Sequence, residues 1–260
     1  MANKKEEIAV KESTSVDVRR GAPRGMENVD VNSITIPTAK VLQPTSPETQ
    51  DDDYNFKAGQ IIHSLFMEQL PEVFVPISIA DTNTLFVPKN DADKMVLKNK
   101  VKERFGVELT EEEMKGMFIC RAQDGRNGDK FGKCAECRLN KFDGNDKPLC
   151  TANINVLALF EGQETPVVVR FSNTSYKHGK KLKDLIFLSR QDVFSRKYKL
   201  IPTKISKDGN NWYEAVVKPA GKPTDGEFKE AEAIWESFRN VNIDFDESDG
   251  TPMGEDVIDY

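Results

Sequence analysis

The sequence predicts a mainly β (α+β) fold of short strands, with one helix set between two hairpins and a loop-rich insertion. Two β-branched, apolar runs, Ile154 to Phe160 and Val167 to Phe171, flank the short turn EGQETP and read as the strongest hairpin. KYKLIPTKIS and NWYEAVVKP surround Lys207-Asp208-Gly209-Asn210 and read as a second, because Asp-Gly supplies the backbone freedom of a tight turn. Helical character is confined to three separate stretches.

Residues 1–30 are polar, with VRRGAPRG in their midst and no apolar period, so a disordered arm is expected there. A core domain is expected over residues 31–224. Its lead-in carries Pro37, Pro44 and Pro47, which break any helix, and ends in a strand near Gln60 to Phe66. PEVFVPISIADTNTLFVPKN reads as two short strands around an Asp-Thr-Asn turn. Asp91 to Met117 is helical in composition, with Val101, Phe105, Leu109 and Met114 roughly on one face, and Thr110 with Glu113 forms a capping box.

The insertion, residues 118–150, is short of aliphatic residues and rich in Gly, Asp, Lys and Cys, and cannot fold by burial alone. Thr174 or Ser175 caps a helix running to about Arg190, with Leu182, Leu185, Ile186 and Ser189 on one face. A last helix falls within residues 225–240, and residues 241–260 form an acidic tail. No internal repeat is visible.

The chain has 260 residues, 31% of them charged and only 38% hydrophobic, so its core is modest. The longest stretch free of charge, Pro148 to Phe160, has 13 residues, short of the roughly 18 a membrane helix needs. MANKKEEIAVKESTS mixes acids with bases and has no apolar centre, unlike a signal peptide. A cytoplasmic protein without membrane partners is expected.

The net charge of -6 hides an asymmetry. Residues 225–260 carry 12 acids and two bases, whereas Thr165 to Lys222 carry 13 bases and four acids. A pI of 5.2 therefore does not exclude a nucleic-acid partner.

The four cysteines are Cys120, Cys134, Cys137 and Cys150, in the order C-x13-C-x2-C-x12-C, and all fall within 31 residues. In KCAECR, two intervening residues let both thiolates face one ion, and nearby glycines allow the other two to come round. Four thiolates suit structural zinc. Inert reduced thiols, a redox CxxC pair and an iron–sulfur cluster are the alternatives.

Single-stranded nucleic acid is gripped by cations that follow phosphates and by rings on which bases stack, each stack worth about 1–3 kcal/mol. Residues 170–218 interleave both. Candidate contacts are Arg170, Tyr176, Lys177, Lys180, Lys181, Lys183, Arg196, Lys197, Tyr198, Lys199, Lys204, Trp212 and Tyr213. Phe187 and Phe194 read instead as core residues.

The tail segment IDFDESDGTPMGEDVIDY has seven acids and no base: Asp244, Asp246, Glu247, Asp249, Glu255, Asp256 and Asp259, before Tyr260. Such a segment competes with phosphates for the chain's own cations and offers partner proteins an apolar tip; otherwise it is a solubilising tail. No GxxxxGK[ST], GxSxG, HExxH or GxGxxG occurs, and no carboxylate constellation asks for catalysis, so no enzyme is expected.

TIPTAKVLQPTSPE, KAGQII, CRAQDG and KCAEC resemble a group of small phage DNA-binding proteins. Together, the cysteine insertion, the basic-aromatic segment and the acidic tail resemble the zinc-containing single-stranded-DNA-binding proteins of bacteriophages, in the style of the T-even helix-destabilising protein. The T-even ligand set includes a histidine where this chain offers four cysteines. The resemblance implies an OB-fold-like barrel with an inserted four-cysteine zinc subdomain. It also implies coating and protection of single-stranded DNA in replication or recombination, with partner proteins recruited by the tail in the host cytoplasm. A zinc-ribbon transcription or replication adaptor and a phage inhibitor of a host enzyme are the other readings.

Overall fold

The computed structural model describes residues 35–50, 54–144, 147–239 and 244–245. The arm expected over 1–30 and nearly all of the tail, including Asp246, Glu247, Asp249, Glu255, Asp256, Asp259 and Tyr260, lie outside the described residues. The described chain is mainly β, built on antiparallel ladders with three α-helices.

Its axis is one long strand. Where two short strands were expected, β5 (Val73–Phe86) runs unbroken for 14 residues, and Asp81, Thr82 and Asn83 pair with β9 (Thr151–Phe160) instead of turning. None of the three is a glycine, and none takes a positive φ. Pro76 is tolerated in this central strand because it lies at a register shift on β9 and beyond Val73 and Phe74, the residues paired with β11 (Lys197–Lys207).

β9 continues into β10 (Val167–Ser172), the hairpin read from the sequence, and β11 into β12 (Asn210–Gly221). Asp208 and Gly209 both have positive φ, +50° and +84°, as the two-residue hairpin turn requires. The strand order is β10-β9-β5-β11-β12, with β6 (Phe118–Ala122) paired to the far end of β5. This order does not close into a hydrogen-bonded barrel. Two short strands of the lead-in, β2 (Ala39–Val41) and β3 (Ile61–His63), pair with each other and with β4 (Glu68–Gln69) instead.

β9 is apolar throughout Val156–Phe160 because both its faces are covered there. Ile154, Val156, Ala158 and Phe160 face one core with Phe74, Phe171, Tyr198 and Leu200, closed by Leu182 and Ile186 of α2 (Tyr176–Ser189). Leu157 and Leu159 face the opposite core, where Phe194 meets Phe228 at 5.0 Å between ring centroids and Trp235 at 6.3 Å on α3 (Asp225–Phe238). α3 starts at a capping box in which Glu227 N donates to Thr224 Oγ1 and Thr224 N to Glu227 Oε2. Phe187, read from its residue type as a core side chain, is 81% exposed.

The expected helix over Asp91–Met117 ends early. α1 (Asp91–Phe105) is capped by Asn90 and stopped by Gly106 at φ +67°. Thr110 and Glu113 do form the reciprocal capping bonds, but around a single 3₁₀ turn. The insertion also buries more than its composition suggested. Its Ile119 and Leu139, with Cys120 and Cys137, join Leu109 and Met114 of the preceding segment against Leu97 and Val101 of α1 in a third core. At the other end of the domain, Asp244 and Phe245 are no free tail: they pair in parallel with Thr35 and Ile36.

Candidate nucleic-acid interface

The two-residue turn and the start of α2 bring five of the expected contacts together. Tyr176 and Lys177 open α2, and Ser175 ties that end to β12 by accepting from Ala215 N at 3.0 Å. Lys204 lies directly across from Tyr213, and Trp212 is its neighbour on β12. Both hydrogen-bonding backbone groups of Tyr213 are taken by the Gln43 side chain, at 2.8 and 3.0 Å. Lys204 and Tyr213 are therefore a non-hydrogen-bonded cross-strand pair, the kind whose Cα atoms approach to about 4.5 Å. A cation and a ring are thus set side by side at the open end of the ladder.

Lys204 is exposed, and Trp212 and Tyr213 are half-buried. Tyr213 rests its ring on Gly59, where any Cβ would come within 2.5 Å of it. Beneath this cluster Glu214 is buried, with Lys177 Nζ at 3.0 Å and His178 Nε2 at 3.0 Å from its Oε2. Burial works against its ionised form. Hydrogen bonds from His178 and Lys177, the Lys177 charge and the nearby Trp212 indole N–H outweigh that and hold its pKa below the usual carboxylate range.

Other expected contacts are elsewhere. Tyr198 leaves the stacking set: its side chain is 2% exposed and packs against Phe74 in the core, because it shares a strand face with Leu200. Lys197 and Lys199 lie at the opposite end of β11. Lys197 is held between Glu161 and Glu227, and Lys199 is 2.6 Å from Glu72. Lys183 pairs with Asp81 at 2.8 Å. Acids distant in sequence thus answer bases that looked like an uncompensated run. Lys180, Lys181, Arg196 and Lys204 make no salt bridge among the described residues and are exposed. Arg170 is half-buried on another sheet face, where its Nε donates to Asn155 Oδ1 at 3.3 Å.

The sequence reading missed two features. The outer end of α2 shows Phe187 and Leu188 to solvent, a placement the helical period that turns Leu182 and Ile186 inward already implies. On the sheet, Asn155 Nδ2 donates to Thr82 Oγ1 at 3.1 Å, and buried Thr82, Thr84, Asn153 and Asn155 form a polar band leading to Arg170. Its sequence trace is the Asn-Ile-Asn spacing, which puts two amides on one face of a strand.

The four cysteines approach one another from separate elements. Cys120 is on β6, Cys134 and Cys137 are in the turn after the ribbon of β7 (Asn127–Gly128) and β8 (Gly132–Lys133), and Cys150 immediately precedes β9. All four are free thiols. The Cys150 thiol is pushed up to about 12, first by burial and then by Cys137, Cys120 and Cys134, which are close enough to act on its charge. Gly128 leaves room for Cys120 Sγ, which a Cβ there would meet at 2.6 Å. Among the described residues, no group of three or more His, Cys, Asp or Glu side chains is placed to hold a metal ion.

No described helix is long and apolar enough to cross a membrane. Searches of curated proteins and of solved structures return no match. Residues 4–244 match the family described as Pam3 phage gp34-like protein. That match spans nearly the whole sequence; the chain belongs to this bacteriophage protein family.

Proposed function

We propose that the chain is a non-enzymatic single-stranded-DNA-binding protein, coating exposed strands in phage replication or recombination in the host cytoplasm. The observation that carries this reading is the cluster at the end of the β11–β12 ladder. There Lys204 lies beside Tyr213, with Trp212 on the other face of the same strand and Glu214 tied to Lys177 at the start of α2. Lys204, with Lys180 and Lys181 along α2, would meet phosphates, and the half-exposed rings of Trp212 and Tyr213 would take bases. Because Gln43 and Gly59 fix Tyr213 in place, little side-chain entropy remains to be lost on binding.

The strand order supports the reading by analogy. A three-strand meander β5-β9-β10, a helix, and a hairpin whose first strand returns to β5 is the order of an OB fold left open between its third and fifth strands. The cysteine insertion then occupies the connection between its first and second strands, and Asp208-Gly209 the one between its fourth and fifth. OB folds bind oligonucleotides with those two loops. The four free thiols of the insertion, close enough to act on one another's charge, fit structural zinc; Cys120, Cys134, Cys137 and Cys150 would hold it. Bound zinc would supply a cross-link between the insertion and the sheet. The acidic residues beyond Phe245 would recruit replication or recombination proteins.

The test is a binding titration of labelled oligo-dT, duplex and RNA at two salt concentrations, with metal content measured on the same preparation. The reading expects oligo-dT to bind in preference to duplex, with affinity falling as salt rises, and close to one zinc per chain. Equal or absent binding to oligo-dT ends the DNA assignment, and protein without metal ends the zinc assignment.

A further inference from the structure

The lead-in motif KVLQPTSPE and the glycine of KAGQ have a structural task that the proposed activity does not explain. The sheet has two open edges, β10 and β12, and residues 36–43 lie between them. On one side Val168 N donates to Pro37 O at 2.8 Å, and Thr38 forms a parallel bridge with Val168. On the other side no strand pairs with β12 beyond β11 among the described residues. Instead Gln43 Nε2 donates to Tyr213 O at 3.0 Å, and Gln43 Oε1 accepts from Tyr213 N at 2.8 Å. A single side-chain amide makes the two bonds that a neighbouring strand residue would make.

The surrounding residues aim that amide. Ser46 Oγ accepts from Gln43 N at 2.9 Å and Ser46 N donates to Gln43 O at 3.0 Å, closing the turn that holds Pro44. Leu42 is bonded in both directions to the returning chain, its N to Gln60 O at 2.9 Å and its O to Gly59 N at 2.8 Å. Gly59, at φ +88°, lies under the Tyr213 ring, so the same tyrosine is held by its backbone and by its face.

We propose that residues 36–43 are a separable strap that closes the seam between β10 and β12, with the Gln43 amide as its latch. Gln43 is a positioning residue: it contacts the backbone of Tyr213 and sets where that ring and Lys204 stand. The strap itself does not depend on the DNA reading.

Hydrogen exchange of the full chain, followed residue by residue, tests it in Gln43→Ala and Gln43→Glu. In Gln43→Ala the amides of Tyr213, Val168 and Gly59 should exchange about tenfold to a hundredfold faster, because two hydrogen bonds are lost and a carbonyl is stranded. Amides of the β5–β9 ladder should keep their wild-type rates. Near pH 7, Gln43→Glu keeps an acceptor for Tyr213 N but turns an oxygen against Tyr213 O, so it should speed exchange less than Gln43→Ala. It should return toward the wild-type rate, measured at the same pH, once acidification restores an O–H donor. Unchanged protection at Tyr213 and Val168 overturns the latch. Equal acceleration of every amide, or no recovery of Gln43→Glu in acid, overturns a separable strap. Failure of oligo-dT binding in the wild-type protein leaves all of these outcomes standing.

Discussion

Gly179 shows how tightly the contact of helix and sheet is set. It is buried in α2, where a Cβ would stand 2.6 Å from the Phe171 Cβ on β10. Alanine in mid-helix normally gains about 1 kcal/mol over glycine, while overpacking costs typically 1–3 kcal/mol. The clash is with a core ring stem that cannot swing aside, so Gly179→Ala should destabilise by roughly 1–2 kcal/mol, read from the urea midpoint. A gain in stability would mean that α2 stands farther from β10. At the same scale, Tyr198 shows what residue-type reasoning overlooks. A tyrosine among lysines looked like a stacking platform, yet its alternation with Leu200, already present in KYKLIP, places both on the core face.

Among the elements, α3 depends most on one local signal. Thr224→Ala removes the capping box and should cost about 1 kcal/mol. Glu227 is held below the usual carboxylate range, first by the Thr224 backbone N–H and also by the Thr224 hydroxyl and Lys197. A depressed pKa in the folded state means that this stabilisation is present above the unfolded value, about 4.3, and is lost as pH falls through the folded value. The stability difference between Thr224→Ala and the parent should therefore shrink below about pH 4. Thermal melts across pH 3 to 7 check it, and a constant difference would mean that the Thr224 hydroxyl takes no part in holding Glu227 ionised. The Asp-Gly hairpin and the Thr110–Glu113 box were legible because their signals are local, and the same Thr-x-x-Glu signal stands unread at Thr224. The unbroken β5 was not legible, since nothing local tells a solvated Asp-Thr-Asn turn from a strand segment completed by β9.

At the scale of the molecule, charge was the least legible property. Residues 165–222 carry their excess of bases in sequence, but Glu72, Asp81, Glu161 and Glu227 come from outside that window to meet Lys199, Lys183 and Lys197. The furrow read from composition is thereby reduced to one end of the sheet, where Lys204 and Tyr213 stand side by side and Trp212 projects from the other face of β12. The latch of Gln43 on Tyr213 spans 170 residues and has no sequence signature beyond the residues themselves. The central claim is that unpaired DNA lies on this end and meets Trp212. The chain has two tryptophans, and Trp235 packs against Phe194 in the α3 core. In a Trp235→Phe background, emission therefore reports Trp212 alone. Titration with oligo-dT, with binding followed in parallel by anisotropy of the labelled strand, should give saturable quenching that weakens as salt is raised. Bound DNA with unchanged Trp212 emission, or no binding at low salt, would contradict the account.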